Sequence, residues 1–158
     1  MKTKTIICIL IPLLLVGLVI VNRDFVSQSI EWKLNWGFDV PRPSKMETVF
    51  TSRNGFPNEG ETFLILSYRS LENKLKDKDG WTAINEKSHD RVLTLLQSFQ
   101  KNVTDINNTQ NCESLFQEYP VSYNENDKYF YHLEEDNSYI LAISNKREQK
   151  LYVMEWIQ

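Results

Sequence analysis

Cysteine is nearly missing: the 158 residues hold two, and only Cys112 lies outside an apolar N-terminal run. One thiol there cannot form an intramolecular disulfide, so the rest of the chain must hold itself by packing. An aromatic content of 12% supplies material for that. Cys112 has no histidine or basic cluster near it in sequence, and reads as a loop spacer, not a nucleophile. Histidine is as scarce. His89 falls in the first turn of an expected helix and His132 on an expected strand, neither beside a nucleophile. No G-x-S-x-G, H-E-x-x-H, P-loop or paired-cysteine pattern occurs, so no catalytic residue, cofactor or metal is expected. Asp77 and Asp79 invite a calcium loop, but Trp81 and Thr82 occupy the fifth and sixth positions, where such a loop needs an oxygen ligand and glycine. The consecutive Glu134, Glu135 and Asp136 suit a solvated turn better than paired acid-base chemistry. A basic excess is missing too. Removing Lys2 and Lys4 from the 18 basic residues leaves 16 against 21 acidic ones, a net charge of −5, which argues against nucleic acid as a partner.

What is present begins with Ile6 to Val21, sixteen residues without a charge. As a helix this run covers about 24 Å at 1.5 Å per residue, slightly short of a hydrocarbon core of about 30 Å. Lys2 and Lys4 precede it, so the N-terminus is expected in the cytoplasm and the remainder outside. Cleavage by a signal peptidase needs small residues soon after the run. The exit is Asn22-Arg23-Asp24-Phe25, and Ser27-Gln28-Ser29 lies far downstream. An uncleaved anchor is therefore favoured over a signal peptide and a secreted product. Cys8 sits at the start of the run, where no lipoprotein processing site would be. The expected division is a cytoplasmic tip and anchor over 1–24, a juxtamembrane linker over 25–40, and an extracytoplasmic domain over 41–158.

Ile30 to Trp36 alternates as a strand does, yet follows the run closely enough to continue as helix; both readings stand. Pro41-Arg42-Pro43 fixes an extended connector. Met46 to Thr51 reads as a strand with Met46, Thr48 and Phe50 on one face. A turn over 53–60 joins it in a hairpin to Thr62–Tyr68, apolar on both faces and so central. A short helix capped by Ser70 is expected next, then a loop pinned by Trp81 and Ile84. Ser88 to Val103 is the main helix, capped by Ser88, with Val92, Leu96, Phe99 and Val103 as its core stripe, widened by Leu95. Residues 104–117 form a polar loop, and Asn102-Val103-Thr104 and Asn107-Asn108-Thr109 match the glycosylation pattern. Lys128–Leu133, Tyr139–Ser144 and Leu151–Ile157 make a meander. One face of it is expected to take the main helix while the other turns tyrosines outward. The binding-surface candidates are Tyr129, Tyr131, Tyr139, Tyr152 and Trp156, because aromatic rings give contact area at small entropic cost.

The apolar leader, the P-x-P connector, the G-F-x-x-x-G-E-x-F stretch from Gly55 to Phe63, Trp81 and the tyrosine-rich meander resemble small exported or membrane-anchored proteins of Gram-positive bacteria. Some of these are immunity proteins that guard the outer membrane face against secreted toxins. The resemblance implies no functional residue. The fold expected is α+β: an antiparallel sheet of about five strands with one main helix on one face, behind a transmembrane helix or signal peptide. The function expected is non-catalytic binding at the cell surface, with a protein such as a toxin as partner and the membrane engaged by residues 6–21. The alternative is an envelope enzyme or small-ligand sensor using the cleft between sheet and helix.

Overall fold

A computed structural model of the chain describes residues 25–53, 58–71, 75, 80–106 and 114–158. The apolar run at 6–21, most of the expected 70–76 helix, the Asp77–Asp79 loop, Asn107 and Cys112 lie outside the described residues. Among the described residues no helix is long and apolar enough to cross a membrane. The chain divides into two compact units, 1–42 and 43–158.

In the first unit, residues 25–36 are helical (α1), which decides the Ile30–Trp36 segment in favour of helix. Gly37 ends it with a left-handed backbone at φ +61°, its N–H donating to the Lys33 carbonyl while Phe38 N–H reaches the Trp32 carbonyl. That reversal lays the Phe38 ring edge-on to Trp32 at 5.4 Å, both side chains fully buried. Another stripe of α1 is apolar and open. Val26, Ile30 and Leu34, four residues apart, are 50%, 54% and 79% exposed.

The second unit is α+β. Among the described residues its six strands, all antiparallel, are β1 (Lys45–Thr51), β2 (Gly60–Ser67), β3 (Thr82–Ala83), β4 (Lys128–Leu133), β5 (Tyr139–Asn145) and β6 (Lys150–Ile157), in the order β1-β2-β6-β5-β4-β3. The strand beyond the five expected is β3, two residues laid against Lys128 and Tyr129. The expected hairpin is β1–β2, and the expected meander is β4–β5–β6. β6 docks on β2, which makes the both-sides-apolar β2 an interior strand. A bulge between Thr48 and Phe50 changes the expected face of β1. Met46 and Thr48 oppose Leu66 and Leu64, whereas Phe50 opposes Phe63 and joins the other side.

The main helix, α2, runs Glu86–Ile106, and a four-residue helix, α3, spans Leu115–Glu118. The cap of α2 is Asn85, not Ser88. Asn85 Oδ1 accepts from the N–H groups of Lys87 and Ser88 at 3.0 and 3.3 Å, while Ser88 Oγ accepts from Asn85 N–H at 2.9 Å. This reciprocal box at the third helical position holds the orphan donors of the first turn, so the helix starts two residues earlier than expected. Val92, Leu96, Phe99 and Val103 are buried as the stripe requires, against Phe63, Ile65, Leu141, Ile143 and Met154. Phe63, Phe99 and Phe116 form the aromatic centre, with ring centroids 5.8–6.4 Å apart. On the other sheet face Trp81 lies against Phe130 at 6.0 Å, and Leu71 N–H donates to Gln149 Oε1 at 2.6 Å. Both tie the segment after β2 to the meander, and Trp81 and Ile84 are buried, as expected of residues that pin this loop.

Two carboxylates are fully buried in this sheet. Glu61 Oε2 accepts from Ser52 Oγ at 2.6 Å, and Ser52 Oγ accepts from Glu61 N–H at 2.8 Å. Gly60 makes that approach possible: a Cβ there would meet Ser52 Oγ at 2.6 Å. Glu155 lies 4.0 Å from Arg53, whose side chain is 9% exposed.

Candidate functional site

Strand register decides where the five aromatic candidates point. Directly opposed residues of an antiparallel pair share a face, so the rows across the sheet can be read from the pairing. One row is Tyr129–Ile143–Tyr152–Ile65; the next is Tyr131–Leu141–Met154–Phe63; the last is Leu133–Tyr139–Trp156–Glu61. All five candidates therefore lie on the face that carries α2. The tyrosines were expected on the opposite face; β4 instead turns its odd-numbered side chains toward the helix, because those of its neighbours β5 and β6 in the same rows build the core.

Depth along the strands separates the five. Tyr129 and Tyr152 stand in the row under the helix and are buried, 7% and 1% exposed. The Tyr152 hydroxyl meets Ser122 Oγ at 3.3 Å and Glu148 Oε2 at 3.2 Å, which fastens the β5–β6 turn to the segment before β4. Tyr131, Tyr139 and Trp156 are half-buried, and Leu133 beside them is 52% exposed. Tyr131 and Tyr139 stand 6.1 Å apart, and the Arg91 guanidinium of α2 lies 5.7 Å from the Tyr131 ring centroid. This end of the sheet is an aromatic and apolar rim under a cation.

The rim's phenols are poor acids. Burial pushes Tyr139 up to about 12, helped by Tyr131 and Glu61, with Asn102 acting the other way. Tyr131 is raised by burial too, Arg91 opposing. Both hydroxyls are neutral at physiological pH and that of Tyr139 is buried, so the rim presents mainly ring surface, with Arg91 beside it.

A second concave feature lies at the start of α2. Ile84, Asn85, Glu86, His89, Asp90, Tyr123, Asn124 and Glu125 line a groove of about 430 Å³. His89 and Tyr123 have ring centroids 5.8 Å apart, and burial, then the Asp90 charge, raises the Tyr123 phenol. Among the described residues no group of three or more histidine, cysteine and carboxylate side chains is placed to hold a metal ion. His132 is elsewhere, its Nε2 at 2.9 Å from Glu134 Oε1, in a pair more than 40% exposed on each side. A polar contact so open to water contributes little.

Sequence reasoning missed Arg91 and the groove. Arg91 precedes Val92 of the core stripe by one residue, and only the helix's placement on the sheet aims it at Tyr131. The groove joins the α2 cap to Tyr123–Glu125, more than thirty residues on, a proximity that local pattern does not carry. A scan against protein-family models and searches of curated proteins and of solved structures found no match.

Proposed function

We propose that this chain is a non-catalytic binding protein held at the outer face of a membrane by residues 6–21, and that its partner is a protein, of the kind an immunity protein meets in a secreted toxin. The observation that carries the reading is the rim: Tyr131, Tyr139 and Trp156, half-buried, beside Leu133 at 52% exposure. Rings fixed by packing on one side and open on the other offer contact area with little rotamer entropy left to lose. The open stripe Val26–Ile30–Leu34 of α1 supports the membrane-proximal placement, since it follows the apolar run within a few residues. The test is full-length protein in cells, with protease added outside and mass determined on membrane and medium fractions. Membrane-bound protein of intact mass that is degraded from outside is expected. Protein shielded from the protease contradicts the reading. Expression is further expected to protect a sensitive cell against an exported toxin.

A second reading rests on the groove at the start of α2, whose 430 Å³ suits a small molecule in an envelope enzyme or ligand sensor. In that case His89→Ala and Asp90→Asn abolish ligand binding or activity with the fold intact, while Leu133→Lys is silent.

A further inference from the structure

The first helix is apolar on two sides, and only one of them is covered. Trp32 and Trp36 are buried, Trp32 against Phe38. Val26, Ile30 and Leu34 make the second side. At about 100° per residue Trp32 stands about 200° round the helix from Ile30, nearly opposite it. Exposure of this second stripe rises along the chain, from 50% and 54% to 79% at Leu34. Ser27 and Lys33 border it, and Glu31 and Asn35 lie farther round. Lys33 meets Asp39 at 3.5 Å in a pair too open to water to hold the lysine in place.

The sequence before α1 limits what can meet this stripe. The charge-free run ends at Val21, and α1 is helical from residue 25. In a chain anchored by that run, α1 therefore begins at the membrane surface. At 1.5 Å per residue an upright α1 would carry Leu34 about 12 Å farther from the bilayer than Val26. The polar layer on each side of the hydrocarbon is only about 5–8 Å deep. The most exposed apolar residue of the helix would then stand in water. Lying along the surface, α1 brings all three side chains to one depth, at the boundary where interfacial helices place their apolar face. Trp32 and Trp36 then turn away from the lipid, and Lys33 at the border can extend its ammonium to the phosphates.

From this we infer that α1 is a second membrane contact, lying along the outer leaflet with Val26, Ile30 and Leu34 sunk between the headgroups and the acyl chains. The inference rests on the anchor reading and goes beyond it by making α1 a support laid flat on the lipid, not a stalk. Other occupants fit worse. The run over 6–21 is apolar all round, so packing one of its sides on three residues would leave its other sides in water. A second copy would bury three part-exposed side chains from each protomer, far below the roughly 800 Å² per partner that a stable interface takes.

The experiment attaches a nitroxide label singly to Val26→Cys, Ile30→Cys and Leu34→Cys, in the full-length chain carrying Cys8→Ser and Cys112→Ser. Asn35→Cys is the control, exposed and about 140° round the helix from Ile30. The chain is reconstituted in vesicles of phosphatidylcholine and phosphatidylglycerol, and each label's depth is read from its relative access to oxygen and to a water-soluble nickel complex. Equal depth at positions 26, 30 and 34, just beneath the phosphates, with position 35 in water, is the expected result. The inference is overturned if the labels climb stepwise from 26 to 34 over about 12 Å, as on an upright helix. It is overturned equally if all three lie in water, or if both reagents are kept from them, which marks a protein cover such as a second copy. Alkaline extraction of the same vesicles separates this from the anchor. A chain that resists extraction with its three labels in water keeps the anchor and loses the flat helix. A chain released by alkali, whose labels had shared one depth, keeps the contact and loses the anchor.

Discussion

Phe99→Ala tests the packing that positions the rim. Phe99 is fully buried in the middle of α2 and meets Phe63 and Phe116 edge-on at 6.4 and 6.3 Å. Truncation removes the transfer free energy of the ring and leaves a cavity whose aromatic walls cannot close it, a cost of about 3–5 kcal/mol. Domains of this size are stable by about 5–15 kcal/mol, so the loss takes about a fifth of the whole or more. With a urea slope of about 2 kcal/mol/M, the unfolding midpoint should fall by roughly 2 M. Leu93→Ala is the control: Leu93 is 37% exposed and stands about 120° round the same helix. It should cost less than about 1 kcal/mol. Equal losses for the two variants would mean that α2 presents a different face to the sheet, and the placement of Arg91 over Tyr131 would fall with it.

Arg53→Met should destabilise by about 3 kcal/mol in urea, because it takes the nearby cation from the fully buried Glu155, and Arg53→Met with Glu155→Gln should recover part of that loss. Asn85→Ala removes the side-chain acceptor from two N–H groups of α2 and should cost about 1 kcal/mol in thermal or urea unfolding. Tyr139 holds its proton up to about 12 in the folded chain against 10.0 ordinarily, so the folded state binds more proton between those values. Its contribution is complete below pH 10 and is lost as pH rises toward 12, by at most about 2 kcal/mol for a group only partly shielded from water. Stability of the natural chain should therefore fall more steeply than that of Tyr139→Phe over that window, and equal slopes would contradict the burial of the phenol.

The parts of this fold legible in sequence were those set by local period. The stripe Val92–Leu96–Phe99–Val103 named the buried side of α2, and the both-sides-apolar TFLILSY named an interior strand. Connections obeying short turns, the β1–β2 hairpin and the β4–β5–β6 meander, followed from the same patterns. Three features did not. The β1 bulge moved Phe50 to the opposite face, because one extra residue reverses a period of two. Asn85 displaced Ser88 as the cap; both residue types suit the role, and only the chain's path from β3 decides between them. The tyrosines of β4 alternate as clearly as any residues here, but alternation names two faces without saying which one the helix covers. That choice is made by the register with β5 and β6, and it turned two of the five aromatic candidates into core and left three at a rim beside Leu133.

The most direct test of binding at the rim is site-specific photocrosslinking in intact cells, with the reactive side chain placed at position 133 and, as control, at the exposed Gln97 of α2. A crosslink to one discrete protein from position 133, accessible to protease added outside and absent from position 97, is the expected result. Equal labelling from both positions, or none from 133 while position 89 in the groove captures a small molecule, would contradict protein binding at the rim and turn attention to the start of α2.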